Sequence, residues 1–154
     1  MKKITHVGVL VHDLDAAIAQ WSGLFGYREI KRMEVPPEGL RSVFLSRDGT
    51  PDQFMVELVQ VVDEADTGNP VARRLRDHGE GMLHLCMVDE DTGAVARELE
   101  AKGVRFAARP TSTGRGDDRL ILSPRATNGA MVEILSQREW DQVWEHEQDK
   151  AATA

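Results

Sequence analysis

Two histidines and two glutamates have the residue types and the spacing of a metal site. His6 lies in the apolar stretch 4–10, and His84 lies in a similar stretch, 82–87. Glu57 follows His6 by 51 residues and Glu133 follows His84 by 49, each with aliphatic neighbours. A carboxylate in such a strand is partly desolvated and needs a compensating partner. Two imidazoles and two carboxylates suit a divalent transition metal with open positions for water or substrate.

Each of these residues also has a simpler interpretation. A single strand histidine is more often a hydrogen-bonded core residue, and a strand glutamate more often points outward into solvent. The matched histidine and glutamate in both halves of the chain favour the metal interpretation over these alternatives.

The first half of the chain predicts one β-α-β-β-β unit. Residues 3–11 alternate around β-branched residues, which predicts a strand with His6, Gly8 and Leu10 on one face. A helix follows with Asp13 as its N-cap, apolar positions recurring from residue 14 to 25, and Gly26 just past its end. Three further strands are predicted at 27–33, 40–46 and 53–61.

The second half repeats this order. A strand is predicted at 82–88, a helix between Asp91 and Gly103, and strands at 104–108, 119–123 and 130–135, with a glycine-rich loop at 114–118. His6 precedes Asp13 by 7 residues, and His84 precedes Asp91 by 7. Self-similarity of this kind indicates two copies of one supersecondary unit. The predicted fold class is therefore α+β, with two tandem βαβββ modules.

The internal repeat of the βαβββ unit also predicts the domain organisation. We expect a single domain over residues 1–136, with module one at 3–62, a linker helix within 63–81 and module two at 82–136. In the tail, 137–154, Trp140, Val143 and Trp144 recur at helical spacing, which predicts an amphipathic helix that packs on the domain or on a second subunit.

Composition narrows the class of protein. The 154 residues are 41% hydrophobic and 29% charged, which is typical of one globular domain. A net charge of −7 argues against nonspecific nucleic-acid binding. Cys86 is the one cysteine, so no intramolecular disulfide can form, and neither a signal-peptide pattern nor a long apolar run is present. We expect a cytoplasmic protein without nucleic-acid or membrane partners.

Three stretches carry a family resemblance. They are His6 to Val9 with residues 13–17; residues 69–75 leading into Gly79-Glu80-Gly81-Met82-Leu83-His84; and residues 123–129 before Glu133. Over roughly residues 4–136 the chain resembles the vicinal oxygen chelate superfamily, and within it the methylmalonyl-CoA epimerases. The resemblance implies a cupped eight-stranded mixed sheet around a divalent metal (Co²⁺, Mn²⁺, Ni²⁺, Zn²⁺ or Fe²⁺), and a homodimer. It also implies the metal ligands His6, Glu57, His84 and Glu133.

The activity implied by this resemblance is epimerisation. A metal-dependent epimerase would invert the carbon α to a thioester in methylmalonyl-CoA or a similar acyl-CoA, through an enolate stabilised by the metal. Glu133 and Glu57 are the candidate acid–base residues. Ser42 stands where a characterised type of epimerase has an additional glutamate, and Glu38 is a further candidate for that role.

Other functions fit the same fold. A glyoxalase-type isomerase keeps all four ligands. An extradiol-type dioxygenase needs only two histidines and one carboxylate, so Glu57 counts against it. A non-catalytic small-molecule binding or resistance protein usually needs no metal. Arg41, Arg119 and Arg125 are expected to form surface ion pairs, with contacts to coenzyme A phosphates as the alternative.

Overall fold

The chain folds into eight strands and four helices over the residues that the structure, a computed structural model, describes, 2–109 and 119–152. The strands form one mixed sheet, so the predicted α+β fold class is confirmed. Short 3₁₀ turns lie at Pro36–Glu38 and Pro124–Ala126. In chain order the elements are β1 (Lys3–Val11), α1 (Leu14–Phe25), β2 (Arg28–Val35), β3 (Leu40–Ser46), β4 (Met55–Val61), α2 (Pro70–His78), β5 (Gly81–Asp89), α3 (Thr92–Ala101), β6 (Phe106–Arg109), β7 (Arg119–Leu122), β8 (Met131–Ser136) and α4 (Gln137–Ala152).

The helices that follow β1 and β5 begin at the predicted caps. The Asp13 carboxylate accepts a hydrogen bond from the Ala16 N–H at 2.9 Å, and the Asp91 carboxylate accepts one from the Ala94 N–H at 2.8 Å. Gly26 ends α1 in the left-handed conformation, with φ of 68°. These contacts satisfy backbone groups that helix ends leave without intrahelical partners, so residue type alone located the ends.

The strand boundaries differ more from the prediction than the helix ends do. β4 begins at Met55 instead of residue 53, and Phe54 is 51% exposed in the preceding turn. Asp48 organises this turn, since its carboxylate accepts hydrogen bonds from the Thr50 N–H at 2.9 Å and the Thr50 hydroxyl at 3.0 Å. Phe54 therefore belongs to the turn and does not extend the strand, although its apolar side chain predicted that it would.

The chain divides into two compact units, and the first is His6–Leu83. Its strand order is β2-β3-β4-β1, with β1 parallel to β4 and the other pairs antiparallel. Apolar residues on one face of these strands pack against α1. This core consists of Val11, Leu14, Ala17, Val43, Leu45, Val56 and Leu58. Phe25, at the end of the predicted apolar stripe of α1, is 50% exposed.

The second unit comprises Met1–Thr5 and His84–Ala154. Its strand order is β5-β8-β7-β6, with β5 parallel to β8. Residues of β7 and β8 pack against α3 in a core of Val95, Leu120, Leu122, Val132 and Ile134. In α4, Trp140 and Trp144 are buried and their rings are 5.5 Å apart. The predicted loop 114–118 lies outside the described residues, as do residues 153–154.

Both units therefore contain the predicted order of elements. The scheme of one domain over 1–136, with a separate linker and tail, stays a prediction. Of the helices in the described residues, none is both long and apolar enough to cross a membrane.

Candidate functional site

The pairing of β1 with β4 brings His6 and Glu57 together. In this parallel pair His6 lies opposite Met55 and Gly8 lies opposite Glu57, so all four residues face the same side of the sheet. His6 Nε2 is 3.3 Å from Glu57 Oε2. The His6 side chain is 3% exposed and that of Glu57 is 14% exposed. Gly8 has no side chain that would separate the imidazole from the carboxylate.

The pairing of β5 with β8 makes the equivalent contact in the second unit. His84 lies opposite Met131 and Cys86 lies opposite Glu133. His84 Nε2 is 4.0 Å from Glu133 Oε2, and the side chains are 5% and 14% exposed. Cys86 is fully buried at the position that corresponds to Gly8. Each unit thus contains one buried imidazole beside one largely buried carboxylate.

The two carboxylates have different neighbours across the sheet. Phe44 of β3 lies opposite Glu57, and its ring is perpendicular to the His6 imidazole, with centroids 5.0 Å apart. Ile121 of β7 lies opposite Glu133. Arg119, two residues before Ile121, places Nη1 3.3 Å from Glu133 Oε1. The Arg119 side chain is 14% exposed, so this contact is not the surface ion pair expected from the sequence.

These donors fit a divalent transition metal. Imidazole nitrogens and carboxylate oxygens bind such ions at about 2.0–2.2 Å, so two donors of one ion lie about 3.0–3.5 Å apart. The contact between His6 and Glu57, at 3.3 Å, meets this requirement, and the one between His84 and Glu133, at 4.0 Å, is slightly longer. Carboxylates this poorly exposed also need positive charge nearby. The donor atoms in both units are therefore of the type that metal binding requires, and the pair in the first unit also has the required spacing.

Ser42 lies on the same face of the sheet as Glu57. It is opposite Val59 of β4, two residues along that strand from Glu57, and is 2% exposed. Its hydroxyl oxygen has no hydrogen-bond partner among the described residues. A buried hydroxyl without a partner costs free energy, which a bound ligand or water would recover. Ser42 is thus a candidate ligand contact that its residue type did not reveal.

The sequence also singled out a glutamate and three arginines outside the two histidine and glutamate pairs. Glu38 is in the 3₁₀ turn before β3 rather than on a strand that carries His6 or Glu57. Arg41 and Arg125 are exposed, which is compatible with either role predicted for them. Arg119 forms an ion pair, as the sequence predicted, but the pair is largely buried instead of lying on the surface. Arg119 and Ser42 both stand two residues before the residue that faces a glutamate, an equivalence that the strand registers reveal.

Comparison with known proteins agrees with this architecture. Residues 5–122 match the model of the Glyoxalase/Bleomycin resistance protein/Dioxygenase superfamily. The chain is 29% identical, over 135 residues, to the ethylmalonyl-CoA/methylmalonyl-CoA epimerase of Cereibacter sphaeroides, an alignment that covers 86% of this chain and 96% of the relative.

Solved structures of epimerases have the same fold. The methylmalonyl-CoA epimerase of Mycobacterium tuberculosis matches with a TM-score of 0.73 and 25% identity, covering 86% of each chain. A variant of the Streptomyces coelicolor enzyme in complex with 2-nitronate-propionyl-CoA matches with a TM-score of 0.73 and 26% identity, covering 87% of this chain and 96% of that one. The resemblance predicted from sequence is confirmed: the chain belongs to the glyoxalase/bleomycin resistance protein/dioxygenase superfamily, and its similar relatives include methylmalonyl-CoA epimerases.

Proposed function

We propose that this protein is a metal-dependent epimerase that inverts the carbon between a thioester and a carboxylate, in methylmalonyl-CoA or a similar acyl-CoA. The single observation that carries the proposal is the repeated pair of histidine and glutamate, on the first and last strands of each βαβββ module. Similarity to epimerases along most of the chain supports the choice of reaction.

His6, Glu57, His84 and Glu133 would together hold one divalent ion. The proposal of a shared ion rests on the family and on the equivalence of the two pairs. When bound, the ion would supply Lewis-acid stabilisation of the negative charge that develops on the substrate oxygens. Co²⁺, Mn²⁺, Ni²⁺, Zn²⁺ and Fe²⁺ all accept these donors, so elemental analysis has to identify the metal.

Glu57 and Glu133 are the proposed acid–base residues. Inversion requires that a proton leave one face of the carbon and that another arrive on the opposite face. Each module contributes one carboxylate, which would supply the two groups. The hydroxyl of Ser42 is a poor base without an activating neighbour, so we assign it a hydrogen bond to substrate instead. Cytoplasmic location and a homodimer stay predictions.

Hydrogen exchange tests this proposal directly. The purified protein, loaded with Co²⁺ or Mn²⁺, is incubated with methylmalonyl-CoA in deuterium oxide, and incorporation at C2 is followed by mass spectrometry. We expect exchange that is abolished by a chelator and by Glu57→Gln. Glu34→Gln, the same change at an exposed residue of β2, is the matched control and should retain activity.

The absence of deuterium incorporation by the metal-loaded wild-type protein would reject the epimerase assignment. Turnover of the glutathione hemithioacetal of methylglyoxal would then support a glyoxalase-type isomerase. Oxygen uptake with a catechol would support an extradiol-type dioxygenase. Ligand binding without any turnover would support a non-catalytic binding protein.

A further inference from the structure

The two carboxylate oxygens of Glu133 face different partners, Arg119 and His84. Arg119 Nη1 is 3.3 Å from Oε1, whereas Oε2 faces His84 Nε2 at 4.0 Å. All three side chains are at most 14% exposed, so water screens these charges weakly. The guanidinium thus leaves one carboxylate oxygen directed at the imidazole.

The first module has no cation at the equivalent position. Ser42 stands two residues before Phe44, which faces Glu57, just as Arg119 stands two residues before Ile121, which faces Glu133. The repeat therefore places a neutral hydroxyl in one module and a permanent positive charge in the other. This difference changes the charge of the site but not its donor atoms.

If the proposed function holds, this charge has a chemical consequence. The inference therefore rests on the proposed function. Two carboxylates balance a divalent ion, and histidines that bind a metal are neutral. The guanidinium in contact with Glu133 places a permanent positive charge beside these ligands. A substrate with one carboxylate interacts favourably with this charge, whereas a neutral thioester does not.

We propose that Arg119 is a specificity-determining residue that makes the site select thioesters bearing a neighbouring carboxylate over neutral thioesters. It acts through its charge and through its hold on one oxygen of Glu133. This role differs from the contact to coenzyme A phosphates considered from the sequence, because it discriminates at the acyl group rather than at the nucleotide.

The test compares two ligands that differ by one carboxylate, malonyl-CoA and acetyl-CoA, by calorimetric titration of the Co²⁺-loaded protein. In Arg119→Met we expect the affinity for malonyl-CoA to fall about tenfold or more, the scale of one lost charge-assisted interaction. Affinity for acetyl-CoA and the content of Co²⁺ should remain. Arg119→Lys, which keeps the charge, should restore most of the preference. Arg97→Met, at an exposed arginine of α3 to which no binding role is assigned, is the matched control.

Three results would overturn the inference alone. Equal losses for both ligands would assign Arg119 a structural role, and an unchanged preference in Arg119→Met would show that its charge is not used. If Arg119→Met does not fold, Arg119→Gln and Arg119→Lys replace it, and equal preference in these two variants would count against the proposal. A wild-type protein that retains no Co²⁺ would instead reject the proposed function, and the inference with it.

Discussion

The aromatic ring of Phe44 meets the imidazole of His6 at 89°, with ring centroids 5.0 Å apart. Phe44 also faces Glu57 across β3 and β4, so it borders both members of the first histidine and glutamate pair. Perpendicular ring pairs of this kind contribute about 0.5–1.5 kcal/mol beyond the area they bury. The contact therefore restricts the orientation of the ring that carries the proposed metal ligand.

Replacing Phe44 should affect metal binding as well as stability. For Phe44→Leu we expect the free energy of unfolding to fall by about 1–2 kcal/mol and the affinity for Co²⁺ to fall, because the imidazole loses a neighbour that orients it. Urea denaturation and a competitive chelator titration measure these quantities. Phe54→Leu, at a 51% exposed position, is the control. Lost stability with unchanged Co²⁺ affinity would show that Phe44 only fills space.

The two histidines should be required for one shared ion. After loading and dialysis, elemental analysis of the wild-type protein should find one metal ion per chain. His6→Ala and His84→Ala should each lose most of it, whereas His78→Ala, at the exposed end of α2, should not. Two ions per chain, each lost with a different histidine, would show that the pairs bind metal separately.

His12 should give the protein a pH-dependent contribution to stability. Its Nδ1 is 2.8 Å from Glu64 Oε1, and this hydrogen bond, with the negative charges of Glu64 and Glu80, raises the pKa of His12 above its usual value of 6.5. The charged imidazole thus favours the folded state. The stabilisation is complete below the unfolded pKa and is lost as pH rises through the higher folded pKa.

A comparison of melting temperatures tests this pH dependence. His12→Gln should melt below the wild-type protein at pH 5.5, and the difference should shrink towards zero at pH 9. The effect is small because His12 and Glu64 are exposed. Glu64→Gln should reduce the same pH dependence, and His78→Gln controls for the loss of a surface histidine. A difference that is constant between pH 5.5 and 9 would contradict the assignment.

Asn69 should be the costliest polar residue to replace near α2. Its side-chain oxygen accepts hydrogen bonds from the N–H groups of Val71 at 2.9 Å and Ala72 at 3.2 Å, and its Nδ2 donates to the Glu38 carbonyl at 2.9 Å. Gly39 is required beside it, because its φ is +61° and an added Cβ would lie 3.1 Å from Asn69 Nδ2. One side chain therefore joins the 3₁₀ turn to the helix.

Two substitutions separate these roles. Asn69→Ala should lower the free energy of unfolding by about 1–3 kcal/mol, since it removes both the cap and the donor. Asn69→Ser keeps a capping oxygen and should lose less. Asp13→Ala, at the exposed cap of α1, is the comparison and should cost about 1 kcal/mol. Equal losses in the alanine and serine variants would show that the bond to Glu38 dominates.

The order of the elements and the residues of the two pairs could be predicted from the amino-acid sequence. Strand alternation and helix capping depend on neighbours a few positions away, so Asp13 and Gly26 locate α1 without any tertiary information. The internal repeat then related His6 to His84 and Glu57 to Glu133, because equivalent positions in two copies of one unit take equivalent places in its strands.

The side chains that surround those pairs could not be predicted in this way, because strand pairing brings them there. The register between β7 and β8 brings Arg119 to Glu133, and the register between β3 and β4 buries Ser42 near Glu57. A shift of one residue would turn either side chain to the other face of the sheet. Alternation within one strand predicts the face of a side chain but not the residue that it meets on the neighbouring strand, so the positions of the cation beside Glu133 and of the hydroxyl near Glu57 depend on strand pairing.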